Sequence, residues 1–174
     1  MSAADTARPE ADEYAPFYET YVSLVPEGEV VETLRRQSEE VSALLAGIAE
    51  ERAAYAYAPG KWSIKQVVGH VIDAERIFSY RAMAIARGER AALPGMDQDE
   101  YMAGADFDAR TLADLSEEFS HLRRANVLML RGLSATAWAR RGTASGSEVT
   151  VRALAYIIAG HAAHHLQVLR TRYF

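Results

Sequence analysis

Apolar residues recurring in steps of three and four constrain this chain most, and two of those series run straight through histidines. Between Val151 and Val168 the series is Val151, Leu154, Ile158, His161, His165 and Val168, so a helix there turns both imidazoles toward the side that its apolar residues bury. A buried imidazole has two ring nitrogens to satisfy, and a bound cation satisfies one of them. A third histidine, His70, lies on a separate helical stripe made of Ser63, Val67, His70, Ala74, Ile77 and Arg81. Zinc and similar ions take at least three protein ligands, and three imidazoles with open positions left over make a catalytic rather than a closed structural pattern. On the residues alone, His70, His161 and His165 are either a metal-binding set or three core histidines satisfied by carbonyls and hydroxyls.

The same periodicity divides the chain into four long helices. The first runs from Glu29 to Glu51, with Val31, Leu34, Ser38, Val41, Leu45 and Ile48 inward. Ser63 is placed to cap the second, which reaches Arg87 and stops at Gly88. The third begins at Asp108 or Thr111 and ends at Arg131, on the stripe Leu112, Leu115, Phe119, Leu122, Asn126 and Met129. The fourth spans Thr150 to Arg170. Long connections follow the second helix (89–108, with a helical turn near 97–102) and the third (132–148), both broken by glycine. No strand is expected. The pattern predicts an all-α, antiparallel up-down four-helix bundle in which ligands converge from facing helices. Residues 14–174 read as one domain, 1–13 as a mobile polar tail, and the aromatic stretch Tyr14 to Val25 as an arm docked on the body.

Composition narrows the function classes. A net charge of -5, with acids and bases interleaved, leaves no basic surface for nucleic acid. No apolar run is long enough to cross a bilayer, and there is no secretory pattern at the N-terminus. The absence of cysteine removes any internal thiolate and fits a reducing cytoplasm. Around the histidines, Asp73 is a candidate to orient an imidazole, although pairing with Arg76 is its ordinary role. Asn126 reads as a donor to the site or as a satisfied core amide, and Trp62 and Tyr101 as pocket walls or packing. His164 flanks the pair, and His121 reads as a surface residue. Glu117-Glu118 and Arg123-Arg124 read as a solvated face. Ile64, Val68, Val71 and Ile72 form a second apolar face on the second helix, which a dimer partner would cover.

Three segments together, GKWSIKQVVGHVIDAERIFSYR, Asp97 to Tyr101, and TVRALAYIIAGHAAHHLQVLR, resemble the DinB-like superfamily, and within it the YfiT-type branch of metal-dependent hydrolases and thiol S-transferases. The resemblance runs from Tyr14 to Tyr173. It implies an antiparallel four-helix bundle, often dimeric, with a divalent ion (zinc, nickel or iron) on His70, His161 and His165, and it puts His164 at the position just before the last ligand. It also implies a cosubstrate thiol such as bacillithiol and a small electrophile as the partner molecules. Three readings follow: a metal-dependent thiol S-transferase, a hydrolase in which the same ion activates water, and a non-catalytic, stress-related metal-binding protein that works by association.

Overall fold

The computed structural model describes residues 7–174; the first six residues of the expected tail lie outside the described residues. Helix α1 (Glu19–Val22) belongs to the N-terminal arm. The four long helices are α2 (Val30–Ala46), α3 (Ile64–Ala86), α5 (Leu112–Arg131) and α7 (Val151–Val168). Two short helices, α4 (Gln98–Gly104) and α6 (Ala135–Trp138), lie in the connections. Hydroxyl caps start three of the long helices. Ser63 accepts from the Gln66 backbone N–H at 3.1 Å while the Gln66 side chain accepts from the Ser63 N–H at 2.8 Å. Thr111 and Thr150 cap α5 and α7 by the hydroxyl alone, accepting from the Asp114 and Ala153 backbone N–H groups.

These helices form the expected four-helix bundle, but of the consecutive long helices only α3 and α5 are neighbours in space. Both α5 and α7 pack along α2, and both pack along α3, whereas α2 and α3 stand across the bundle from each other. This order lays α3 directly against α7, the two helices that carry the histidines. It also gives the connection after α5 a reason to be long, since it must carry the chain across an end of the bundle to α7.

One connection holds a feature that periodicity did not predict. Strands β1 (Arg141–Ala144) and β2 (Ser147–Thr150) pair antiparallel, with Ala144 opposite Ser147. Ser145 and Gly146 turn the chain with φ of 52° and 77°, the left-handed pair that a two-residue hairpin demands. Leu93 joins the edge, donating to the Thr143 carbonyl at 2.8 Å and accepting from Ser145 at 3.1 Å, so the two long connections are sewn together.

The arm docks as expected, and its attachment begins earlier than expected. Arg8 donates to the Val22 and Val25 carbonyls at 2.8 and 2.5 Å, closing the end of α1. Glu13 is buried, accepts from the Thr150 hydroxyl at 2.7 Å and pairs with Arg152. Residues 8–13 are therefore held against the body rather than free, because a buried carboxylate and a guanidinium from the far end of the chain neutralise each other. Burial alone would raise the Glu13 pKa; its bonds to Arg152 and Thr150 outweigh that and hold it below the usual carboxylate value.

Close approach of the arm depends on a missing side chain. A Cβ on Gly160 would lie 2.0 Å from the Tyr21 carbonyl oxygen, a backbone atom with no freedom to yield. Gly160→Ala is expected to lift α1 from α7 and to cost about 1–3 kcal/mol, the range for overpacking a core. A thermal melt checks this. At about 2–4 °C per kcal/mol for a chain this long, the midpoint should fall by roughly 2–12 °C.

Two sequence readings need correction at the bundle centre. Arg123 is not on a solvated face: it is completely buried, with Nε and Nη2 donating to the two carboxylate oxygens of Glu75 at 2.7 Å each. Nη1 donates to the Gln37 side chain at 2.9 Å and the Leu34 carbonyl at 3.2 Å. Asn126 completes the cluster by donating to Glu75 at 3.0 Å, and Gln37 reaches the Ala159 carbonyl at 2.8 Å. The stripe on α5 is rotated by one residue from the periodic reading, so Arg123 and Leu130 point inward where Leu122 and Met129 were expected. Glu118 also leaves the solvated set, bonding Arg76 at 2.5 Å and pairing with Arg110. The second correction concerns α3: Ile64, Val68, Val71 and Ile72 are all buried within the chain. A homodimer would need another surface.

No helix among the described residues is long and apolar enough to cross a membrane.

Candidate metal centre

Side-by-side packing of α3 and α7 brings His70, His161 and His165 together. Nε2 of His70 lies 3.1 Å from Nε2 of His161, and one nitrogen from each of the three rings lies within 4.8 Å of the others. Ring centroids are separated by 5.0 Å (His70–His161), 4.8 Å (His70–His165) and 4.5 Å (His161–His165). His70 and His161 are buried and His165 is half-buried.

Aromatic rings hold the imidazoles in place. Trp62 lies 4.9 Å from His70, and Tyr21 of the arm meets His161 edge-on at 5.2 Å and His164 at 5.6 Å. Phe78 closes the far side of His161 at 5.8 Å. Further support comes through Gly69, where a Cβ would fall 2.4 Å from the Phe107 ring; its absence lets the 3-10 turn Phe107–Ala109 lie flat on α3 beside His70.

Burial sets the protonation state. Desolvation lowers the His70 pKa to about 4, with Asp99 pulling it back up and His164 pushing it further down. Desolvation, then the charges of His70 and His164, takes His165 to about 3. His161 is driven well below its ordinary value by burial first and then by the other histidines and Arg123. All three are therefore neutral bases at pH 7, the form in which imidazole ligates a metal.

The donor set fits a divalent cation. Nδ1 of His165 is buried without a hydrogen-bond partner, and the Nε2 atoms of His70 and His161 meet at 3.1 Å, a contact in which one ring donates and the other accepts. Three neutral imidazoles with nitrogens this close offer a donor set that a shared ion fits.

A pH dependence follows in the metal-free protein. Unfolded histidines titrate near 6.5, whereas the folded ones stay neutral to about 4 or below, so the unfolded chain binds more protons between those values. Stability is complete above 6.5 and is lost as pH falls toward 4. Unfolding free energies from urea titrations of chelator-treated protein at pH 7 and pH 5 should differ by a few kcal/mol in favour of pH 7, at about 1.4 kcal/mol per pKa unit for each group.

Two cavities reach the histidines. One of about 280 Å³ touches His70 and His161 and is walled by Phe17, Tyr18, Tyr21 and Phe78. The other, about 420 Å³, touches His164 and His165 beside Trp62, Tyr57 and Asp99. Gln98 borders both. Both long connections thus contribute to the mouth, the first through Met96 and Gln98 and the second through Ser145.

The remaining candidates separate cleanly. Asp73 does not reach the histidines: its ion-pair partner is Arg76 at 3.8 Å, and it lines neither cavity. Asn126 serves the Glu75–Arg123 cluster. His121 is exposed beside Glu117, and Tyr101 is exposed. Trp62 is a wall residue and His164 flanks the triad. Tyr21, Gln98 and Asp99 were not singled out for the site by periodicity; the aromatic density of the arm was the only local signal for Tyr21.

Comparison with known proteins agrees with the fold. Among curated proteins no sequence matches. Among solved structures, YfiT from Bacillus subtilis, described as a probable metal-dependent hydrolase with an unusual four-helix bundle topology, has a TM-score of 0.66 at 16% identity, covering 93% of this chain and 91% of that one. A mycothiol-dependent maleylpyruvate isomerase also has a TM-score of 0.66 at 16% identity, covering 83% of this chain and 61% of that one. At such identity these likenesses show the shared fold alone. The sequence model of the DinB superfamily matches residues 33–169, most of the chain, and this protein belongs to the DinB superfamily.

Proposed function

We propose that the protein is a divalent-metal-dependent enzyme that transfers a low-molecular-weight thiol of the bacillithiol type to a small electrophile, with His70, His161 and His165 as the metal ligands. The observation that carries this reading is the convergence of three neutral imidazoles, one with an unpartnered buried nitrogen, at a point reached by two cavities. When bound, a divalent ion supplies Lewis acidity, which makes a thiol or a water nucleophilic near neutral pH. The protein supplies the rest. Tyr21 and Trp62 screen His161 and His70 from solvent, and His164, on the wall of the larger cavity, takes the thiol proton as sulfur bonds to carbon and the leaving group departs with its electron pair. The chain holds no cysteine to compete with the external thiol. A thiol of this kind implies a cytoplasmic setting.

A hydrolase is the second reading, favoured by the near full-length likeness to YfiT, whereas the chain spans only 61% of the thiol-dependent isomerase. A purely structural, partner-binding role sits poorly with cavities that open onto the histidines. Turnover of an aryl halide by metal-loaded protein separates the readings. With bacillithiol present the rate should exceed that in water alone by at least about tenfold, on the scale of one well-placed catalytic interaction. Equal rates would indicate hydrolysis, and no turnover of any electrophile would count against both.

A further inference from the structure

Arg81 lies on the same face of α3 as His70, eleven residues and about three helical turns further on. It borders the cavity that opens on His70 and His161, yet only 3% of its surface is exposed. Among the described residues no carboxylate lies within ion-pair distance of it, in contrast to the equally buried Arg123, which is fully matched by Glu75. Its neighbours are neutral. Nη2 donates to the Pro94 carbonyl at 2.6 Å and the Ser145 hydroxyl at 3.0 Å, and the guanidinium carbon lies 5.7 Å over the Phe78 ring. The two sewn connections thus fix one nitrogen, while Nε and Nη1 have no protein acceptor and are not sealed from the cavity.

A buried cation without a counter-charge is costly unless something else compensates it. Arg81 borders a cavity whose other walls are mostly aromatic or aliphatic. We propose that Arg81 binds the carboxylate of an organic acid whose apolar body lies against Phe17, Tyr18 and Phe78 and whose far end reaches the histidine cluster. This names the substrate class for the reading given above and rests on that reading for the word substrate. Helix rise places the Cα atoms of residues 70 and 81 about 16 Å apart, and helical side chains lean toward the N-terminus, so the acid is a small molecule shorter than that span.

Benzoate and its neutral isostere benzamide are the probes, titrated calorimetrically into chelator-stripped and zinc-loaded protein while the Arg81 Nε–H resonance is followed. Benzoate is expected to bind both forms and shift that resonance, and benzamide to bind at least tenfold more weakly. Arg81→Met should weaken benzoate at least tenfold with zinc stoichiometry unchanged. Equal affinity for acid and amide, an Arg81→Met affinity within twofold of wild type, or benzoate binding only after zinc is added would overturn the assignment. If Arg81→Met does not fold, the acid–amide contrast and the resonance shift in the wild type decide the matter, with Arg81→Lys expected to keep part of the affinity. Selective benzoate binding by a protein that takes up no zinc would uphold the carboxylate site and sink the metal-enzyme reading alone.

Discussion

His165→Ala is expected to reduce divalent-metal affinity by more than a hundredfold and to abolish turnover while leaving the helical circular-dichroism spectrum intact. Replacing outer partners of a metal site already costs about 10–100-fold, so removal of a direct ligand should exceed that range. The fold should tolerate the change. His165 is half-buried near the end of α7, and its Nδ1 makes no hydrogen bond that truncation would break. His70 and His161 would remain, but two imidazoles make a weak site. Elemental analysis of tag-free protein beside the variant is the measurement, and a variant that keeps full metal content would remove His165 from the ligand set.

Glu75→Ala is expected to be the most damaging change to stability. It strands Arg123 in the bundle interior, with both of its short bonds to the carboxylate lost and Asn126 deprived of its acceptor. Breaking a buried pair from one side costs about 3–5 kcal/mol. The melting midpoint should fall by roughly 6–20 °C at about 2–4 °C per kcal/mol. Replacing both members, with Glu75→Leu and Arg123→Met together, should recover much of that loss, because no unmatched charge stays behind. If the double variant is as unstable as the single one, the damage lies in packing and not in the stranded guanidinium. The cluster touches the site only indirectly, through Gln37 and the Ala159 carbonyl two residues before His161, so metal binding should survive in whatever fraction stays folded.

Periodicity exposed the helices and the inward direction of the three histidines, because one face of a helix repeats on a scale that a short window of sequence contains. What it could not expose depends on distant partners. Arg123 looked like half of an exposed basic pair because its match, Glu75, is 48 residues away. The register still held a clue, since Arg123 falls four residues after Phe119 and three before Asn126. Residues 8–13 looked free because Glu13 meets Arg152 across 139 positions. The hairpin escaped for another reason: each strand is four residues long, too short for alternation to stand out, and its turn is a Ser-Gly pair in a stretch already rich in both. Resemblance to a known family supplied the proposed ligand set and the proposed thiol chemistry, which spacing alone left as one choice among several.

The pairing of α3 with α7 has a temporal consequence. During synthesis on the ribosome, His70 emerges long before His161, and the arm that covers His161 emerges before either, so the cluster cannot form until α7 leaves the exit tunnel. Loss of the last twenty residues would leave three helices and a dangling arm with nothing to close upon. The histidine cluster therefore assembles only after α7, the later of its two helices, has been made.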